Sequence, residues 1–284
     1  MHRHTLTPPP LKSAFSLVEL SIVLVILGLL VGGVLSGQAL IRAAELRSIT
    51  TDYQRYLAAT LSFRDKYFAL PGDMANATQF WGANPSCSGQ GGLPYSATTQ
   101  TLTCNGNGDG HIGQACSGLQ YAHEVWHFWQ HLSDAGLIEG QYSGACGAAS
   151  PGNCGSGFTV AVIGLNVPKS KLSNMAFSFM DFDDYSQCYV ADSLYFAGQY
   201  GHTFVYGSTD GNNFTAYGSG IKAGEAWNID QKIDDGVPGR GSFRVIPYSN
   251  GQGGQCTTTQ VAATAAYDLT KTTDSCSLVF VTGF

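Results

Sequence analysis

The chain has 284 residues, 44% of them apolar, with eight cysteines and a formal net charge of −6 at pH 7. Residues 37 to 71 carry five Lys/Arg against three Asp/Glu, whereas residues 72 to 284 carry seven against sixteen. An acidic C-terminal portion argues against nucleic acid as the main partner, because neutralising phosphates needs clustered Lys/Arg.

Residues 1–14, MHRHTLTPPPLKSA, form a polar leader. Arg3 and Lys12 favour a cytoplasmic N-terminus, and Pro8, Pro9 and Pro10 oppose helix. Residues 20–41, LSIVLVILGLLVGGVLSGQALI, carry no charge. At about 1.5 Å per residue they reach roughly 33 Å as a helix, enough to cross a bilayer. A cleaved secretory signal has a shorter apolar region of about 7–15 residues, so the run reads as an anchor with the remainder of the chain outside. Glu19, inside FSLVELSIVLVILG, does not suit a plain anchor, since a carboxylate at membrane depth needs a partner or a place at the interface. Gly28, Gly32, Gly33 and Gly37 either permit close helix contact or are ordinary membrane-helix glycines.

The segment AFSLVELSIVLVILG resembles the N-terminal processing motif of type IV pilins and of the pseudopilins of type II secretion. Phe15 matches the first mature residue and Glu19 the fifth, while Ala14 stands where the family usually carries Gly. The resemblance covers about 30 residues. It implies cleavage between Ala14 and Phe15 by a prepilin peptidase, methylation of the new Phe15 amine, and packing of the helix with those of other pilin or pseudopilin subunits. The implied location is the bacterial inner membrane, single-pass with a periplasmic head, and then a pilus or pseudopilus. Glu19 would there face the Phe15 amine of a neighbouring subunit and set register.

Leu46, Ile49, Tyr53, Tyr56, Thr60, Phe63 and Tyr67 recur at intervals of three and four, the stripe of an amphipathic helix continuing the membrane segment and packing on a sheet of the same head. Leu70-Pro71-Gly72 should end it. The expected organisation is therefore leader 1–14, long helix 15–71 (transmembrane about 17–41, stem about 42–70) and head 72–284, with Asp73 capping a short helix before Gly82. FRDKYFALPGDM and HFWQHLSDAGLIEGQYSG also resemble segments of pilin-like proteins with enlarged heads.

All eight cysteines lie in the head, and an even number in a membrane-targeted chain points to disulfides in an oxidising compartment. Sequence alone does not choose among the pairings of eight cysteines; the short loops Cys87 to Cys104, Cys146 to Cys154 and Cys256 to Cys276 are natural candidates, and Cys116 and Cys188 are candidates without an assigned partner. FTVAVIGLNV, MAFSFMDF, SLYFAGQY, TFVYG, SFRVIPY and LVFVTGF read as strands. The expected class is α+β, a long N-terminal helix on a C-terminal antiparallel sheet with disulfide-stapled loops.

Three constellations carry candidate chemistry. NGNGDGHIG aligns Asn105, Asn107, Asp109 and Gly110 like the first half of a calcium loop, but Cys116 occupies the position of the bidentate Glu, which favours an Asn/Gly turn. Asp230, Asp234 and Asp235 in WNIDQKIDDGVPGRGSFR could hold calcium, as some pseudopilins do in a C-terminal loop, or simply build a turn. His123-Glu124-Val125-Trp126-His127 fits H-E-x-x-H, the zinc protease motif, but no third ligand follows at a usual spacing. The same helix has an apolar face of Ala122, Val125, Trp126, Trp129 and Leu132 and a polar one of His123, Glu124, His127 and His131. The expectation is a non-enzymatic assembly subunit, bulk or minor, with a surface-binding tip adhesin and, behind it, a membrane-anchored zinc protease as alternatives.

Overall fold

The computed structural model describes residues 16–87, 98–113, 122–148, 159–182, 195–198, 200–209, 216–247 and 255–284. Ala14, Phe15, Cys116, Cys154 and Cys188 lie outside them. In chain order the elements are α1 (Leu17–Tyr67), α2 (Thr78–Trp81), α3 (Ala122–Asp134), β1 (Gly147–Ala148), β2 (Thr159–Val160), β3 (Met175–Asp181), β4 (His202–Ser208), β5 (Ile221–Lys222), α4 (Ala223–Ile233), β6 (Phe243–Val245), β7 (Asp274–Cys276) and β8 (Leu278–Val281). Two compact units result, the first ending at Glu45 and the second running Leu46–Phe284. The layout is α+β, with a long apolar N-terminal helix and an antiparallel C-terminal sheet.

The main sheet has strand order β3-β4-β8-β6, every neighbour antiparallel. Its register sets Phe179 opposite Phe204, Phe204 opposite Phe280, and Phe280 opposite Phe243, so one phenylalanine row crosses all four strands. Two residues along, Phe177, Tyr206, Leu278 and Val245 make a parallel row on the same face, as the period of two requires. The other face is closed as well: Ser178 is fully buried and its Oγ accepts from Ala216 N. Burial on both faces explains why MAFSFMDF reads as a continuous apolar run rather than an alternating one.

The stem stripe lies on this aromatic face. Tyr53 stacks on Phe280 at 4.3 Å between ring centres, and Tyr56 meets Phe177 and Trp129 edge-on at 5.5 and 5.0 Å. Ile49, Tyr56, Thr60 and Phe63 are buried, and Leu46, Tyr53 and Tyr67 pack against the core. Phe128 of α3 stacks on Phe179 at 4.0 Å. Each such ring pair contributes about 0.5–1.5 kcal/mol beyond the area it buries.

Several expectations change. The long helix ends at Tyr67 rather than near Leu70, because Phe68 takes a left-handed backbone (φ 53°) while its amide still donates to Arg64 O at 2.8 Å. Asp73 caps no helix; α2 begins after Ala77, and the Asp73 carboxylate turns instead to a loop described below. SLYFAGQY contributes no strand among its described residues: Tyr195, Phe196 and Tyr200 are buried, but Gly198 breaks the extended course at φ 150°. Among the described residues of FTVAVIGLNV only Thr159–Val160 is a strand, and the chain then turns at Gly164 (φ 78°). The WNID portion of the expected acidic turn belongs to α4, whose first backbone amide outside, that of Lys222, donates to Glu225 Oε2.

Cys87–Cys104 and Cys256–Cys276, two of the three short loops marked by the sequence, are closed by disulfides, with Cα separations of 5.8 and 4.8 Å. Cys146 is disulfide-bonded as well.

Candidate functional site

The first unit offers one distinctive group, Glu19. Ser16 Oγ accepts from Val18 N at 3.3 Å, and Glu19 Oε2 accepts from Ser16 N at 2.8 Å, a reciprocal capping box that satisfies two amides at the start of α1. Sequence reasoning missed this, although the signal, Ser16-x-x-Glu19, is present. The carboxylate therefore sits exposed in the first helical turn, where the positive end of the helix dipole favours it.

Beyond it the helix surface is apolar and bare: Leu17 is 84% exposed, Leu29 73% and Leu40 73%. Among the described residues this is the one helix long and apolar enough to cross a bilayer. A Cβ added at Gly28, Gly32, Gly33 or Gly37 would meet nothing within 4 Å, so no contact among the described residues requires glycine there.

In the second unit, α3 carries the H-E-x-x-H sequence, and its expected polar face is not solvated. His127, Gln130 and His131 are fully buried and Glu124 is 4% exposed. The surrounding loops supply the reason. Gly72 N donates to His131 Nδ1 at 2.9 Å, which leaves the proton on Nε2, 3.0 Å from Thr103 Oγ1, and Thr103 Oγ1 donates to Gln130 Oε1 at 2.8 Å. Gln130 Nε2 donates to Gln100 O and Leu102 O. Asn107 N and Gly113 N donate to the two oxygens of Glu124 at 3.1 and 3.3 Å. The helix thus acts as a spine to which residues 72, 100–103 and 107–113 are tied.

Burial sets the charge states of this spine. It pushes the His131 pKa down to about 3 and that of His127 well below its usual value, and it pushes Glu124 up to about 8 despite the two amide donors. Both ring nitrogens of His127 and the Nδ1 of His123 are buried without a hydrogen bond. His127 lies parallel to His131 at 5.7 Å between ring centres. Among the described residues no group of three His, Cys, Asp or Glu is placed to hold a metal ion.

The 105–110 segment is wired by Asp73. Gly108 N and Asp109 N donate to Asp73 Oδ1, and Gly110 N to Oδ2, at 2.6, 3.0 and 3.0 Å. Asn105 Oδ1 accepts from Thr78 N, and Asn107 Oδ1 from Asp109 N. Gly106 is obligatory, since a Cβ there would lie 2.3 Å from the Asp73 backbone. The expected oxygen donors are therefore engaged by the chain itself, around a carboxylate where a calcium loop would hold its cation.

Asp230, Asp234 and Asp235 are likewise separated in their duties. Asp230, buried on α4, accepts from Tyr267 OH at 2.7 Å and Gly236 N at 3.1 Å, and burial pushes it up to about 6. Asp234 Oδ2 accepts from Ser242 N and Phe243 N, leading the chain into β6, and a Cβ at Gly241 would come within 2.0 Å of it. Asp235 accepts from Val237 N and Arg240 Nε, both at 2.8 Å. A cation here would have to displace these bonds.

Compared with known proteins, the chain matches no family model, no curated protein and no solved structure.

Proposed function

We propose that the chain is a non-enzymatic subunit of a pilus or pseudopilus, cleaved before Phe15 and assembled through its N-terminal helix in the manner of type IV pilins and pseudopilins. One observation carries this reading: an uncharged helical surface from Leu20 to Ile41 left exposed among the described residues, with a single carboxylate, Glu19, in the first turn of the helix. Apolar surface on this scale is buried in lipid or against other helices. The glycines with open space above them give neighbouring helices room for close approach. A head closed by disulfides suits an oxidising compartment such as the periplasm.

The capping box sharpens the role of Glu19. Gln at this position keeps an oxygen acceptor for Ser16 N but removes the charge that would pair with a neighbour's Phe15 amine. In cells carrying Glu19→Gln or Glu19→Leu, leader removal followed by mass should be normal, and sheared filaments or cross-linked pseudopili should be absent for both. Normal assembly by Glu19→Gln would leave Glu19 a helix cap and remove its pairing role.

A further inference from the structure

In the second unit, a cleft of about 1030 Å³ opens where α1 ends. It is formed by the last turn of α1, the Phe68–Leu70 exit, residues 73–76, the 108–110 loop, His202 and Phe284. Its volume is that of a small-molecule site, which runs to about 300–1,000 Å³.

Phe68, on the cleft, is 94% exposed and holds φ 53°, a left-handed backbone uncommon for a bulky residue. The hydrogen bond its backbone amide donates to Arg64 O places it at the helix C-terminal position often filled by Gly or Asn. A large apolar ring is thus kept in solvent at a position where a smaller residue would serve the fold better. Strain of this kind concentrates at binding sites.

A second planar surface is fixed by its neighbours. The Arg64 guanidinium lies 4.6 Å over the Phe284 ring, His202 Nδ1 donates to Phe284 O at 2.7 Å, and the His202 and Phe284 rings stack at 5.8 Å. Between these surfaces the polar groups are of both signs. Arg64 and Asp65 offset one another in charge, and the Asp73 carboxylate already accepts from three backbone amides. The side chains of Asp65 and Asn76 are exposed and hold no hydrogen bond among the described residues.

We infer that this cleft binds a neutral carbohydrate. The apolar face of a pyranose ring stacks on an exposed aromatic ring, and its hydroxyls suit a carboxylate, an amide and a guanidinium, each able to engage vicinal oxygens. One guanidinium against two carboxylates leaves the cleft a single formal negative charge, which repels a polyanion and is too small to select a polycation. The inference does not depend on how the chain assembles.

The test uses the full chain in a zwitterionic detergent without a sugar headgroup, probed against an immobilised panel of neutral oligosaccharides, with sulfated and sialylated glycans and apolar peptides as controls. Neutral oligosaccharides should bind saturably. Phe68→Asn should weaken that binding at least tenfold while leaving the melting temperature equal or higher, because Asn accepts the left-handed backbone; Asp65→Asn should weaken binding severalfold. Retention of only charged glycans or peptides would overturn the inference, as would undiminished binding by Phe68→Asn. A fall in its melting temperature would equally overturn it, by making the ring structural.

Discussion

Replacing Glu124 by Gln should change the pH dependence of folding more than its magnitude at any one pH. The wild-type carboxyl is raised from 4.5 to about 8 by burial, with Asp73 and Asp109 adding to the rise. Its stabilising contribution is therefore complete below pH 4.5 and is lost as pH climbs towards 8. Each pH unit in that window removes about 1.4 kcal/mol. His131 runs the other way: lowered from 6.5 to about 3, it stabilises fully above pH 6.5 and loses that contribution as pH falls. The two slopes oppose one another between pH 4.5 and 6.5, so the informative interval is pH 6.5 to 8, where the Glu124 slope amounts to about 2 kcal/mol. Asp134, raised to about 7 by burial, adds to the loss in wild type and variant alike. Gln cannot ionise. It also turns one of its two positions into a donor facing Gly113 N, a pH-independent cost of about 1 kcal/mol. Urea unfolding of the full chain in detergent, followed by the fluorescence of Trp126 and Trp129 on the same helix, measures both effects. The wild-type advantage over Glu124→Gln should shrink by about 2 kcal/mol between pH 6.5 and 8. Parallel stability curves across that interval would show that Glu124 is ionised in the folded protein and would refute the reasoning.

Three further outcomes are expected from the core and its ties. Phe204→Ala removes the centre of the aromatic row, where the ring meets Tyr53, Phe128 and Phe179, and should cost about 3–5 kcal/mol in the same urea assay. Gly241→Ala drives a methyl into Asp234 Oδ2 from a positive-φ position (84°), and should cost about 1–3 kcal/mol, with Asp234→Ala of similar size because Ser242 N and Phe243 N lose their acceptor. Replacing Cys256 and Cys276 together by Ser opens a loop of sequence separation 20 and should cost about 3 kcal/mol, read as a lowered melting temperature under oxidising conditions only.

The stem was legible because its period is long and regular: Ile49, Tyr56, Thr60 and Phe63 recur as a helix requires, and all are buried. MAFSFMDF and TFVYG were legible for a different reason, a run of aromatic residues bounded by turn formers, and they are neighbours in the sheet. SLYFAGQY has a similar composition, yet its described residues form no strand, since apolar rings can be buried from an irregular backbone. The helix Ala223–Ile233 was hidden by its Gly, Asn and Asp content, which local propensity assigns to turns until tertiary contacts such as Tyr267 OH to Asp230 hold the segment in place.

Of the site, the place of Glu19 at the start of the long apolar helix was legible but the capping box was overlooked, and the α3 histidines were read as the polar face of their helix. A helical wheel cannot show that loops distant in sequence, at Gly72, Thr103 and Asn107, close over that face. The left-handed Phe68 carried no signal either, since it is neither Gly nor Asn.

The most direct measurement is the intact mass of the protein purified from the membrane or filaments of its native host. The expected mass lacks residues 1–14, gains one methyl group on the Phe15 amine and loses two hydrogens for each disulfide. A chain that keeps its leader would retain the anchor and the head but contradict the assembly subunit.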